Sequence, residues 1–554
     1  MKSLEHTPSA QGVTQTQPED FDLVMLGGGT GSTIAAWTFA GQGQRVAVIE
    51  RKYIGGSCPN IACLPSKNII HSAKVASYFR RSQEFGIAHD GFTIDMSGVR
   101  DRKRTMVSGM NEVYLNNYRN TGAEFIVGTG RFIAPRTLEV ALPDGSSRQL
   151  HGTNVIVSTG TRATLGAIPG LADAQPLTHI EALELDEVPA HLLVVGGGYV
   201  GIELSQAMRR FGSAVSVIDR NERLMAREDE DVCEGLRSLL EDEGIDLLLH
   251  AQITRVSGTS GQSVRITLEH HGTEKTLEGS HVLVAAGRTP NTEGLGLEVA
   301  GVEVTDRGYI RVNERLQTTA PGVWAIGEVA GSPQFTHISV DDFRVVHDNL
   351  IGVDHVTTGR HVPYCLFTDP ELARVGLSEH DAHARGMPYR VFKVPMEAVL
   401  RARTLSETRG FLKALVAADG DRILGVTAFG VGAAEMMFRR PDCDDRRTAL
   451  YRAARCRPDA SHLGRGADTA VLLRGVGAQR CRCDTHHERG DEVKRAEREY
   501  KDVEEMGVQE HTPSSRARHD GVLGFRRTCA GCLWAPAILT RPCARRRRRV
   551  WRRE

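Results

Sequence analysis

Aromatic residues make up only 5% of the chain, and no run of about 18 apolar residues occurs, so no membrane-spanning helix is expected. Residues 1–20 are rich in Gln, Thr and Pro and lack the apolar core of a secretory leader. They read as a disordered extension, and a cytoplasmic, reducing compartment is the expectation. Cysteine is sparse: residues 1–437 hold four of the eleven. No second C-x2–4-C pair stands at a matching spacing there, which leaves no pattern for structural zinc. Net charge is zero, yet neither half is balanced. Residues 1–437 carry 41 Lys+Arg against 52 Asp+Glu, whereas residues 438–554 carry 28 against 17. Arginine dominates that last stretch, which has 26 Arg and two Lys and no sustained apolar period. A chain of 554 residues has room for about three to four domains, and this one has two parts of different composition.

Against this background two cysteines stand out in Gly55-Gly56-Ser57-Cys58-Pro59-Asn60-Ile61-Ala62-Cys63. A C-x4-C pair spans little more than one helical turn, so the sulfurs can reach one another, with Cα atoms about 5.5 Å apart. In a reducing compartment such a pair is redox-active more often than structural. Two inert buried thiols are the plain alternative.

The surroundings favour redox chemistry. An apolar strand at residues 21–26 ends in Gly27-Gly28-Gly29-Thr30-Gly31-Ser32, followed by a helical run at 33–40 and a strand at 45–49 ending at Glu50. Gly27, Gly29 and the small residue Ser32 occupy the three positions of a dinucleotide fingerprint. Its turn brings backbone to a pyrophosphate at a helix N-terminus, and the acid takes ribose hydroxyls. The pattern recurs with all three glycines: a strand at 191–195, Gly196, Gly198 and Gly201, a helix at 202–211, and a strand at 214–218 ending at Asp219. An acid there accepts the 2′-hydroxyl of NAD and repels the 2′-phosphate of NADP, although Arg220 and Arg223 lie nearby. NAD(H) is therefore expected over NADP(H), as one end of a relay from nicotinamide through flavin to sulfur.

With these motifs in order, the chain resembles the class I pyridine nucleotide–disulfide oxidoreductases, the family of lipoamide dehydrogenase, glutathione reductase and mercuric reductase, over about residues 20–437. The disulfide signature matches except for Ala62 in place of a glycine, and Pro59 is unusual in that loop. Residues 155–160, 282–291 and 323–328 resemble the exit from the flavin domain, the return to it and the second flavin motif. Residues 368–376 resemble the opening of the dimerisation domain. The implied architecture is α/β. A FAD-binding domain at 21–160 is followed by a Rossmann-like NAD(P)-binding domain at 161–281. The second part of the FAD domain, at 282–355, and a partial α+β dimerisation domain at 356–437 complete it. The resemblance implies that Cys63 is the sulfur beside the flavin and Cys58 the interchange thiol. Lys67, paired with Glu203, would be held near flavin N5. FAD would be held by Gly27, Gly29, Ser32, Glu50, Lys67, Gly130, Thr159, Gly160 and Glu328. NAD would be held by Gly196, Gly198, Gly201, Asp219 and Gly287. Most members have Asp where Glu328 stands. His337 has two readings, flavin-adjacent or core histidine.

The implied reaction moves electrons from NAD(P)H through FAD to Cys58–Cys63, then to a disulfide or thiol-bound metal. The rivals are an NAD(P)H oxidase, diaphorase or transhydrogenase that never uses sulfur, and a non-catalytic flavin-bound interaction protein. A small-molecule or small-thiol substrate is expected, with no resident metal, membrane or nucleic-acid partner. The family's dimerisation domain ends in His-x4-Glu, which moves protons for the partner subunit's thiol. Here the resemblance stops after Met437. His487 and Glu492 have the mutual spacing but not the surrounding motif. Allowed codons from residue 441 onward permit a one-base shift that restores a family-like helix and His-x4-Glu. A frameshift near codon 438, and a homodimer weakened in the chain as written, follow as expectations.

Overall fold

The computed structural model describes residues 17–438. Its first sheet places Glu124–Val127, Val46–Glu50, Glu19–Leu26, Ser147–Val157 and Val323–Ala325 side by side, all parallel. The antiparallel strands Thr129–Ala134 and Thr137–Ala141 join through the first residues of Ser147–Val157. The runs 23–26 and 46–49 are apolar without alternation because both faces of this sheet are covered. Leu23, Met25, Val46 and Val48 pack with Phe39 and Phe343 beneath the helices Thr30–Gly41 and Thr336–Leu350. Val24, Leu26, Ala47 and Ile49 pack on the opposite side with Phe132, Leu138 and Ile310.

The second nucleotide fold repeats the plan. Asp246–Leu248, Ala214–Ile218, His191–Val195 and His281–Val284 run parallel. The helices Tyr199–Phe211 and Glu230–Asp242 cover one face, and an antiparallel layer of Ala251–Thr259, Ser263–His270 and Thr273–Gly279 covers the other. The chain passes between the two folds along paired strands, Thr161–Ala163 and Arg288–Pro290.

Both glycine-turn helices begin earlier than their sequences suggest, at Thr30 and Tyr199 rather than 33 and 202. Their N-caps are Gly29 and Gly198, which offer no side-chain cap, so nothing polar announces the start. The first backbone N–H groups are left for an anionic ligand.

A third sheet is wholly antiparallel, in the order Tyr364–Leu366, Glu371–Gly376, Ile423–Gly430, Phe411–Ala417, Tyr389–Pro395. Every residue of Phe411–Ala417 is buried, including Lys413. The Lys413 ammonium donates to Asp229, Asp231 and Glu379, each at 2.8 Å, and ties this sheet to the second nucleotide fold. These three carboxylates also form the single metal-like acidic cluster among the described residues, and the ammonium lies at their centre. No helix among the described residues is long and apolar enough to cross a membrane.

Candidate functional site

The first glycine turn is built for close approach. Gly27 has φ +103°, and a Cβ there would lie 2.5 Å from the Ser158 carbonyl oxygen. A Cβ on Gly56, at φ +76°, would lie 2.6 Å from Gly29 Cα, so the cysteine loop rests directly on the turn. Ser32 fits the third fingerprint position because its hydroxyl folds back to the Gly27 carbonyl at 2.7 Å. Glu50 is held by three backbone donors: Gly28 N at 2.8 Å on one oxygen, Lys52 N and Tyr53 N on the other. Gly130 packs beneath the turn, where a Cβ would meet Leu26 at 2.7 Å. Thr159 and Gly160 are tied to Asn291, whose side chain donates to the Thr159 carbonyl at 2.9 Å and whose N–H reaches the Gly160 carbonyl at 3.0 Å. These features fit an extended dinucleotide laid across the end of the parallel sheet.

Around the second turn the arrangement is almost superimposable in kind. Gly196 has φ +109°, and its Cβ would lie 2.6 Å from the Ala285 carbonyl. Gly201 admits no side chain at all, since a Cβ would fall 2.0 Å from the Gly196 carbonyl. Asp219 accepts from Gly197 N at 2.6 Å and from Asn221, as Glu50 does in the first fold. Gly287, at φ +136°, accepts the Thr164 N–H at its carbonyl in the crossing between folds.

The cysteines are not on one helical turn. Cys58 lies in the short helix Ser57–Asn60, the backbone breaks at Ile61 and Ala62, and Cys63 opens the helix Cys63–Arg80. Both are free thiols, Cys63 exposed and Cys58 partly so. A hydrogen bond from Cys58 stabilises the Cys63 thiolate, as do Thr336 and the Lys67 cation, and together they bring its pKa to about 6. The same hydrogen bond, with burial, pushes the Cys58 thiol well up. The reduced pair therefore holds one proton at neutral pH, on Cys58. Sequence reasoning missed Thr336, whose hydroxyl lies 3.3 Å from Cys63 Sγ across a separation of 273 residues.

Lys67 is one turn along the same helix, and its ammonium meets Glu203 at 2.6 Å. Glu203 also accepts the Phe367 N–H at 2.8 Å, and the Phe367 ring lies 4.5 Å beneath the Lys67 ammonium. A buried carboxylate from the second nucleotide fold thus aims a cation back towards the cysteines. His337 stacks on Phe335, with centroids 5.5 Å apart, and burial lowers its pKa. Glu328 reaches Thr161 and Arg288.

A family model described as pyridine nucleotide-disulphide oxidoreductase matches residues 21–342, and the model of its dimerisation domain matches residues 362–439. The chain belongs to this family. It is accordingly a FAD-dependent oxidoreductase, with the redox disulfide centre and dimerisation domain of its relatives. RclA of Escherichia coli, a probable pyridine nucleotide-disulfide oxidoreductase, is 34% identical over 75% of this chain and 91% of its own. Mercuric reductase of Staphylococcus aureus is 32% identical, with 78% and 79% covered. The Cu(II) complex of RclA superposes with a TM-score of 0.74 at 31% identity, covering 83% of this chain and 100% of that one. The family match ends at residue 439, and the Arg-rich segment with His487 and Glu492 lies outside the described residues.

Proposed function

We propose that this oxidoreductase takes hydride from NADH and passes the electrons through Cys58 and Cys63 to a thiol-bound metal ion, with Cu(II) as the acceptor. The observation that carries this reading is the pair of free thiols Cys58 and Cys63 beside the Lys67–Glu203 ion pair, with Thr336 at 3.3 Å from Cys63 Sγ. Cys58, the partly exposed interchange thiol, is a soft ligand for thiophilic metals once its proton is lost. FAD, when bound, supplies the two-electron carrier between nicotinamide and sulfur. One hydride cleaves the S–S bond, leaving its proton on Cys58 and a thiolate on Cys63. Two Cu(II) ions then take one electron each, the S–S bond re-forms, and the Cys58 proton leaves. No thiol leaving group has to be protonated on this route. A copper complex of one relative and the name of another point to the same acceptor class.

Under argon in alkaline solution, NADH is expected to make two thiols newly reactive to iodoacetamide, with mass spectrometry placing both labels on Cys58 and Cys63. A Cu(I)-specific chelator should then report two Cu(I) per NADH consumed. Full copper reduction after both cysteines are replaced would sink the reading.

NADH is favoured as donor by Asp219, whose carboxylate is pinned at the mouth of the second glycine turn. Asp219→Ala should lower kcat/KM for NADH about tenfold, roughly the loss of one charged hydrogen bond, and raise it for NADPH. An unchanged NADH/NADPH ratio would reject that role. The end of the family match at 439 also supports a homodimer whose authentic C-terminus is encoded in a shifted frame. Resequencing codons 430–470 tests that directly, and a confirmed written frame ends it.

A further inference from the structure

Glu328 stands in the second flavin motif, and its side chain also reaches the strands that lead to the second nucleotide fold. One carboxylate oxygen accepts both from the Thr161 hydroxyl and from Arg288 Nε, the latter at 3.0 Å. Arg288 Nε also meets the Thr161 hydroxyl at 2.6 Å, and its Nη2 donates to the Thr161 carbonyl at 3.0 Å. Among the described residues, Thr161 and Arg288 begin the two chain segments that cross between the first and second nucleotide folds, and those segments pair with each other. Glu328 belongs to neither segment. It follows Val323–Ala325, the strand that completes the first parallel sheet. Its carboxylate therefore fastens both crossings to the flavin-side sheet at one point.

We propose that Glu328 and Arg288 form an interdomain clamp that fixes the nicotinamide-binding fold over the flavin-binding fold, making them positioning residues for hydride transfer. The extra methylene of Glu relative to Asp gives the carboxylate its reach to the crossing strands. The two charges at this point are opposite and lie close together, both largely shielded from water. The neighbouring His179 is buried, and desolvation together with the Arg288 cation lowers its pKa to about 4, so it adds no third charge at neutral pH. Loosening such a clamp lets the donor fold drift, and an ångström of misplacement costs up to about 10²-fold in rate.

The inference rests on the reading that reduced nicotinamide is the donor, and the test separates the two. In the FAD-loaded full chain, flavin reduction is followed by stopped flow, once with NADH and once with dithiothreitol, which enters through the cysteine pair. In Glu328→Asp the ratio of NADH-driven to dithiothreitol-driven rates should fall at least ~10-fold. Glu328→Gln, which keeps the reach, should fall less, and Arg288→Met should reproduce the Glu328→Asp loss from the other side. An unchanged ratio in Glu328→Asp and Arg288→Met would overturn the clamp. So would equal slowing of both rates, which would assign Glu328 to the flavin itself. A wild-type protein reduced by NADPH but not NADH would correct the donor alone, and the ratio would then be read with NADPH.

Discussion

Cys63→Ser should abolish metal-dependent turnover, lowering Cu(II) reduction by at least ~10³-fold while FAD content stays unchanged. Serine cannot form the second sulfur of a disulfide, so the dithiol's two electrons have no route out. Its hydroxyl also stays protonated where the Cys63 thiol, with a pKa of about 6, has ionised. The Lys67–Glu203 pair and both glycine turns lie outside the substitution, so NADH should still reduce the flavin and one-electron dyes should still be served. The same chemistry gives a pH signature in the NADH-reduced wild type. Iodoacetamide labelling of Cys63 should rise with pH through about 6 and then level off, because the thiolate is the reacting form. Cys58 should label only in more alkaline solution, since hydrogen bonding to Cys63 and burial hold its proton. Labelling of the two cysteines with one common pH midpoint would contradict the assigned order, and full copper reduction by Cys63→Ser would remove sulfur from the pathway.

Lys413→Met should be strongly destabilising. The Lys413 side chain is fully buried, and its ammonium sits 2.8 Å from each of Asp229, Asp231 and Glu379. Removing it leaves three carboxylates facing one another, one of them almost fully buried. Breaking one partner of a buried ionic group costs about 3–5 kcal/mol, which corresponds to a fall in Tm of roughly 3–6 °C for a fold of this size. The sign of the pH dependence follows from Asp229, whose pKa is lowered in the fold by Lys413 and two backbone donors although burial opposes them. A carboxylate with a depressed folded pKa contributes stability above its ordinary pKa and loses it as pH falls through the folded value. The deficit of Lys413→Met should therefore be largest near neutrality and narrow below about pH 4, where the carboxylates protonate. Calorimetry of the FAD-loaded protein at several pH values measures this. A pH-independent deficit would mean that the loss is one of packing alone.

The sequence by itself determined the two nucleotide folds and the family. Each strand, glycine turn, helix, strand and terminal acid lies within about thirty residues, and each step has local chemistry: apolar runs for a sheet covered on both faces, glycine where a carbonyl approaches, an acid at the strand end. Glu50 and Asp219 occupy the equivalent places that their spacing predicts, each gripping the backbone of its own turn. The reach of local signals ended at the glycine N-caps, where no polar side chain marks Thr30 or Tyr199 as a helix start. It ended again at the cysteines, whose spacing suited one helical turn although the backbone breaks between two helices. Tertiary structure alone decided which groups act on one another at long range. Thr336 meets Cys63 across 273 residues, Glu328 meets Thr161 across 167, and Lys413 meets Asp229 across 184. Such pairings leave no periodic trace, because each depends on how three sheets are stacked rather than on the residues beside it in the chain. The tuning of the thiolate, the fastening of one nucleotide fold over the other and the attachment of the third sheet are all set at that level.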